Sequence, residues 1–128
     1  MDNMSVVLVV EDEPIVRMDA VQMLEDAGFT ALEACDAHQA LVVLEGRCDI
    51  GAVFSDINMP GAMDGLRLVH AVRRRWPPIQ LVLTSGLVCP GPEELPVNGR
   101  FIRKPYDPDH VIATIRGLLS LAPPAKAA

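Results

Sequence analysis

Val6-Val7-Leu8-Val9-Val10 is an unbroken apolar run, rich in β-branched residues, that stops abruptly at Glu11-Asp12-Glu13. A strand with one wet face alternates polar and apolar side chains. A run without alternation suits a strand covered on both faces, as in the middle of a parallel sheet. Such a strand needs helices above and below it, which restricts the chain to a layered α/β arrangement.

The remaining sequence supplies those layers. Pro14 suits the first turn of a helix, and Val16, Ala20, Met23, Leu24 and Ala27 recur at helical spacing until Gly28 ends it. Residues 29–33 form a short candidate edge strand. Asp36 is placed to cap a helix with Ala37, Ala40, Leu41 and Leu44 on its apolar face, closed by Gly46. Residues 50–54 form a third strand. Asp64 caps a third helix carrying Leu68, Val69, Val72 and Trp76, and Pro77-Pro78 stop it. Residues 79–83 and 100–103 give two further strands, and residues 108–121 a last helix with Val111, Ile115, Leu118 and Leu119 on one face. Between those two strands, the prolines at 90, 92 and 96 leave room for at most one helical turn in the 86–99 segment.

Strands and helices alternating in this way specify right-handed crossovers and a parallel sheet. Five strands fit the flavodoxin-like order 2-1-3-4-5, with a fourth helix short or irregular. Its ligand crevice lies where strands 1 and 3 diverge. With 128 residues, half of them apolar, the chain is expected to be one domain over 1–121 and a flexible tail over 122–128.

Eleven Lys and Arg against seventeen Asp and Glu give a formal charge of −6, which disfavours nucleic acid and anionic membranes as partners. No apolar run approaches the ~20 residues of a membrane span. Met1 to Ser5 lack a basic leader pattern, so a cytoplasmic location is the expectation. Cys35, Cys48 and Cys89 are odd in number and widely spaced, and read as reduced, mostly buried thiols.

On this frame the polar residues collect at the carboxyl end of the sheet: Glu11-Asp12 after strand 1, Asp56 after strand 3, Thr84-Ser85 after strand 4 and Lys104 after strand 5. Carboxylates converging there repel one another, a cost that a hard cation removes. Mg²⁺ (or Mn²⁺) is the natural candidate, held by Asp12 and Asp56, with Glu11 acting directly or through water. The main-chain carbonyl of Asn58 is a further candidate ligand. A carboxylate beside such a cation can attack phosphorus, because phosphoryl transfer needs alignment and charge neutralisation more than covalent help. Lys104 would supply a fixed positive charge and Thr84 a hydroxyl donor.

At these residues the chain resembles the receiver domain of bacterial two-component response regulators. The likeness runs over roughly residues 6–121 and rests on Glu11-Asp12, Ser55-Asp56-Ile57-Asn58-Met59-Pro60, Asp64-Gly65, Leu83-Thr84-Ser85 and Lys104-Pro105-Tyr106, in family order. The resemblance implies that Asp56 accepts phosphoryl from a histidine kinase or phosphotransfer protein, and that Asp12, Asp56 and the Asn58 carbonyl hold Mg²⁺. It also implies that Lys104 contacts the phosphoryl group, that Thr84 moves to bond it, and that Phe101 turns inward as Thr84 moves. Lys104-Pro105 is expected to be cis. The resemblance implies a stand-alone signalling protein whose output is a switch of protein contacts or the draining of phosphate from another receiver, with no enzymatic activity beyond its own phosphotransfer and dephosphorylation. Glu11 in place of the commoner Asp, the extra residue at Gly61-Ala62, and Ser85-Gly86 are similar to a subgroup with a TSG-type fourth strand and a reduced fourth helix.

Plainer readings compete. The acids at 11–13 also suit the positive end of the first helix, and Arg73-Arg74-Arg75 suit the exposed negative end of the third. His38, His70 and His110 lie on helices away from the crevice. Met18, Met23 and Met63 read as ordinary packing. The alternative functions are a flavin-binding flavodoxin, a metal-dependent phosphatase or nuclease, and a pseudo-receiver that binds partners without phosphorylation. The first lacks a phosphate-cradling loop after strand 1, and the second leaves Thr84 and Lys104 unexplained.

Overall fold

Every residue of β1 (Val6–Val10) is buried. Its side chains alternate between two apolar layers: Val6, Leu8 and Val10 face one, Val7 and Val9 the other. The computed structural model describes residues 6–59, 61 and 63–121. In it β1 pairs in parallel with β2 (Thr30–Ala34) and β3 (Ala52–Asp56), and β4 (Gln80–Ser85) and β5 (Arg100–Arg103) extend the sheet to the order β2-β1-β3-β4-β5. This is the flavodoxin-like order expected. The tail at 122–128 lies outside the described residues.

Two helices cover each face. α2 (Ala37–Glu45) and α3 (Gly65–Arg75) bury Ala40, Leu44, Leu68, Val69 and Val72 in one layer, while α1 (Pro14–Asp26) and α4 (Pro108–Leu121) bury Ala20, Leu24, Val111 and Ile115 in the other. The chain therefore leaves β1 and β3 toward opposite faces, which opens a crevice at their carboxyl ends.

The helix ends follow from local chemistry. Asp36 accepts from the Gln39 amide at 2.8 Å and Asp64 from the Arg67 amide at 3.0 Å, the two caps read from the sequence. Gly28, at φ +98°, sits just past α1; its amide bonds Glu25 O and the Phe29 amide bonds Leu24 O, the paired bonds of a Schellman end.

Strands 3 and 4 both run further than their apolar stretches suggest. β3 ends at Asp56, not Phe54, and β4 at Ser85, not Leu83. Ser55 pairs with Leu83 and Asp56 with Thr84, so these polar residues are the last rungs of the ladder and do not follow it. Reading strand ends from hydrophobicity fails where buried polar side chains complete the sheet.

The cysteines and Met18 also differ from expectation. Cys48 and Cys89 are exposed and Cys35 half-buried, all as free thiols. They occupy connections between elements, which run over the surface whatever their residue type. Met18 is 64% exposed, on the outer face of α1 beside the core-facing positions Ala20 and Leu24.

The 86–99 segment forms one short 3₁₀ turn at Pro92–Glu94 and otherwise lacks regular structure. It is strapped to α3. His70 Nε2 donates to Glu94 O at 2.7 Å, and Arg73 Nε to Val97 O at 3.0 Å. Arg73 also donates through Nη1 to Pro77 O and Ile79 O, at 2.6 and 2.8 Å. Arg73 is thus half-buried and structural, not merely the exposed helix end its position in a basic run suggests; Arg75, stacked 4.4 Å over Trp76 and paired with Glu45, fits that description better. Burial lowers the Arg73 pKa, but the guanidinium stays charged at neutral pH. Arg73→Ala is expected to cost about 2–3 kcal/mol in urea unfolding, because three carbonyls lose a charged donor. Arg73→Lys recovers only part of it, since one ammonium cannot reproduce the planar fork. A loss below about 0.5 kcal/mol would show that the strap holds without Arg73.

Candidate functional site

One residue past β1, the Glu11 amide donates to Ala34 O at 3.0 Å, and Arg17 Nη1 donates to Glu11 O at 2.8 Å. Those bonds fix the Glu11 backbone, so its side chain is held at the sheet edge. The carboxylate is buried, accepting from the Glu13 amide at 3.2 Å through Oε2 and from Lys104 Nζ at 3.3 Å through Oε1. Burial raises the Glu11 pKa. The Glu13 N–H bond opposes that, the negative Asp56 adds to it, and Lys104 opposes it again. Arg17 was not singled out in the sequence; its bond to a main-chain oxygen leaves no pattern there.

Asp56 ends β3 with its side chain almost fully buried. Oδ1 accepts from the Asn58 amide at 3.2 Å and Oδ2 from Lys104 Nζ at 3.4 Å. Carboxylate oxygens of Glu11, Asp12 and Asp56 all lie within 4.8 Å of one another, close enough to share one cation. Lys104, just past β5, is positioned by its amide, which donates to Ser85 O at 3.0 Å; its bond to Pro105 is cis, as expected. Burial pulls the Lys104 pKa down, but Asp56 and Glu11 together outweigh it, so the ammonium is held charged.

Thr84 is the register partner of Asp56 across β3 and β4. Its Oγ1 is buried and has no hydrogen-bond partner among the described residues. An orphaned buried hydroxyl costs free energy and asks for an explanation. This one lines, with Glu11, Asp56, Phe54 and Tyr106, a cavity of about 10 Å³, about the room of a single water. The donor set fits a hard cation with an oxyanion beside it: three carboxylates for the metal, an ammonium and a free hydroxyl for the anion.

Asn58 lies at the rim, exposed, and its side-chain Oδ1 accepts from Ser85 Oγ at 2.7 Å. Phe101 pairs with Leu83 and packs half-buried against the α2–α3 layer, away from the carboxylates. Glu11, Asp12, Asp56, Thr84 and Lys104 thus meet at one end of the sheet, while Phe101 packs in the α2–α3 layer. Of the Gly61-Ala62 insertion only Gly61 is described; it has φ +103°. Gly65 is a further contributor. A Cβ there would overlap the Asp56 carbonyl and stand 2.8 Å from Ile57 Cα, so α3 can press against the Asp56 backbone only with glycine at its first residue.

A parallel five-stranded sheet with acids, a hydroxyl and a lysine at the carboxyl ends of four strands defines a class of phosphoryl-handling signalling domain. A family model described as response regulator receiver domain matches residues 7–116, and the chain belongs to that family. It is 35% identical over 119 residues to the sensor kinase CckA of Brucella abortus, and 34% identical over 123 residues to the nitrogen assimilation regulatory protein NtrX of Azorhizobium caulinodans. Those matches cover 88% and 90% of this chain but only 12% and 26% of the relatives, so the chain spans a minor part of each. The crystal structure of the receiver domain of NtrX from Brucella abortus superposes with a TM-score of 0.78 at 31% identity, covering 91% of this chain and 99% of that one. Family membership leaves the flavin-binding and hydrolase readings without support.

Proposed function

We propose that Asp56 is the phosphoryl acceptor of this receiver domain, that Glu11, Asp12, Asp56 and the Asn58 main-chain carbonyl hold Mg²⁺ or Mn²⁺, and that Thr84 and Lys104 bind the transferred group. The observation that carries this is the unpartnered Thr84 hydroxyl, in register with Asp56, whose other oxygen already faces the Lys104 ammonium. An Asp56 oxygen forms the new O–P bond as the P–N bond of a phosphohistidine breaks, its electron pair returning to the imidazole. When bound, the cation neutralises the carboxylates and the equatorial oxygens of the phosphoryl group. Lys104 then exchanges a carboxylate for a phosphoryl oxygen, and Thr84 gains the acceptor it lacks. Phe101, beside Leu83 on the neighbouring strand and one rung from Thr84, would repack as that hydroxyl moves.

The donor is a histidine kinase or phosphotransfer protein, a reading supported by likeness to part of a sensor kinase. The output is a change of protein contacts, with no external substrate turned over. Among the described residues no helix is long and apolar enough to cross a membrane, and a charge of −6 suits neither an anionic lipid surface nor nucleic acid. The test is incubation with acetyl phosphate and Mg²⁺ followed by intact mass. One added phosphoryl group supports the reading; none makes the chain a pseudo-receiver.

Lys104→Ala separates the two halves of the site. It removes a positive charge beside the carboxylates, so Mg²⁺ measured by calorimetry should bind between equally and roughly tenfold more tightly. Phosphoryl uptake from acetyl phosphate should fall. Weaker Mg²⁺ binding would place Lys104 among the groups that build the metal site instead of those that oppose it.

A further inference from the structure

Ser85, one of the polar residues at the carboxyl end of β4, occupies a junction. It is fully buried, and its hydroxyl uses every bond it can make. The proton goes to Asn58 Oδ1 at 2.7 Å, while the oxygen accepts from the Leu87 and Val88 amides at 3.0 and 3.1 Å. Its main-chain oxygen accepts from the Lys104 amide. One residue therefore touches the corner two residues past Asp56, the strand end that carries Lys104, and the first turn of the 86–99 strap.

We infer that Ser85 is a positioning residue that joins the Asn58 corner of the metal site to Leu87 and Val88, so that occupancy of the carboxylate pocket is read out at that apolar pair. The inference rests on the proposed Mg²⁺ site and adds a route out of it. Asn58 is tied from both sides, by its amide to Asp56 and by its side chain to Ser85. The Ser85 bond holds the Asn58 main chain ready for a cation at its carbonyl, and the small adjustment that seats the cation pulls on the Ser85 hydroxyl. That hydroxyl has no spare bond, so the pull passes to the two amides it accepts from. Leu87 is 83% exposed and Val88 43%, so small changes in this turn alter an apolar surface already open to solvent. Without the hydroxyl, Asn58 and the turn are independent.

The experiment is Mg²⁺ titration of the full chain, read by calorimetry for affinity and by ¹⁵N amide shifts for Leu87 and Val88, in wild type, Ser85→Ala, Asn58→Ala and the double variant. Each single change should weaken Mg²⁺ binding about fivefold, the worth of one positioning hydrogen bond. The double change should weaken it no further, because both remove the same bond. The Leu87 and Val88 amides should respond to Mg²⁺ in wild type and not in either single variant. Asn58 is exposed, so Asn58→Ala keeps the test valid even if the buried Ser85 site does not tolerate alanine. Additive losses, or amides that still respond in Asn58→Ala, would overturn the coupling while leaving the metal site standing. No Mg²⁺ binding by wild type would overturn the metal site and this inference together.

Discussion

Asp56→Asn is expected to gain no phosphoryl group from acetyl phosphate and Mg²⁺ under conditions where the wild-type chain gains one, read as intact mass. The amide is close in shape to the carboxylate but is a poor nucleophile, so chemistry is lost without loss of volume. The oxygen that accepts from the Asn58 amide can be kept. What changes is the face toward Lys104: an amide NH₂ cannot accept from the ammonium, and the 3.4 Å pair is lost. Against that loss stands the removal of one of three negative charges whose oxygens lie within 4.8 Å of each other. Lys104 retains Glu11 at 3.3 Å, so it is not left unpaired. The two effects oppose, and the net change in stability should stay within about 1 kcal/mol. Mg²⁺ affinity should fall, because one charged ligand has become neutral. Labelling that survives in Asp56→Asn would move the acceptor to Asp12 or Glu11, which protease mapping of the acyl phosphate distinguishes.

The parts of this arrangement that sequence disclosed are those with local causes. Asp36 and Asp64 cap the helices that follow them because a carboxylate three residues before a free amide needs nothing from the rest of the fold. The prolines at 90, 92 and 96 limit the 86–99 segment to one short helical turn by removing donors and fixing φ, again locally. The positions of Glu11, Asp12, Asp56, Thr84 and Lys104 were legible because each stands at or near the carboxyl end of a strand, and a parallel sheet puts all such ends on one rim. Features that depend on distant partners were not. Ser85 meets Asn58 across 27 positions, and Arg73 reaches Val97 across 24. Neither spacing leaves a periodic trace. The strand ends were misplaced for a related reason: Ser55, Asp56, Thr84 and Ser85 are buried by the layers around them, and polarity says nothing of that burial. The cysteines erred in the opposite direction, their usual preference for the interior giving way to their places in connections.

Two glycine-to-alanine changes on helices should move stability in opposite directions. Alanine is ordinarily the better helix residue by about 1 kcal/mol, and Gly117 in α4 shows that case: apart from its own stretch of helix, no atom of the described residues lies within 4 Å of where its Cβ would be. Gly117→Ala should therefore stabilise the chain by up to about 1 kcal/mol. Gly65, at the start of α3, should reverse the sign. Its Cβ would enter the space of the Asp56 carbonyl, and main chain cannot rotate away as the end of a flexible side chain can. The Gly65 amide also donates to Ile57 O at 2.9 Å, so moving α3 outward to make room breaks that bond as well. Overpacking of this kind costs about 3 kcal/mol, well above the helix-propensity gain. Gly65→Ala should lower the thermal midpoint by about 10 °C. The same displacement falls on the backbone that aims the Asp56 carboxylate, so Mg²⁺ binding and phosphoryl uptake should decline together in the protein that remains folded at low temperature. A Gly65→Ala chain as stable as wild type, with Mg²⁺ affinity unchanged, would mean that α3 does not press on Asp56 and that the acceptor is held in place by β3 and its neighbours alone.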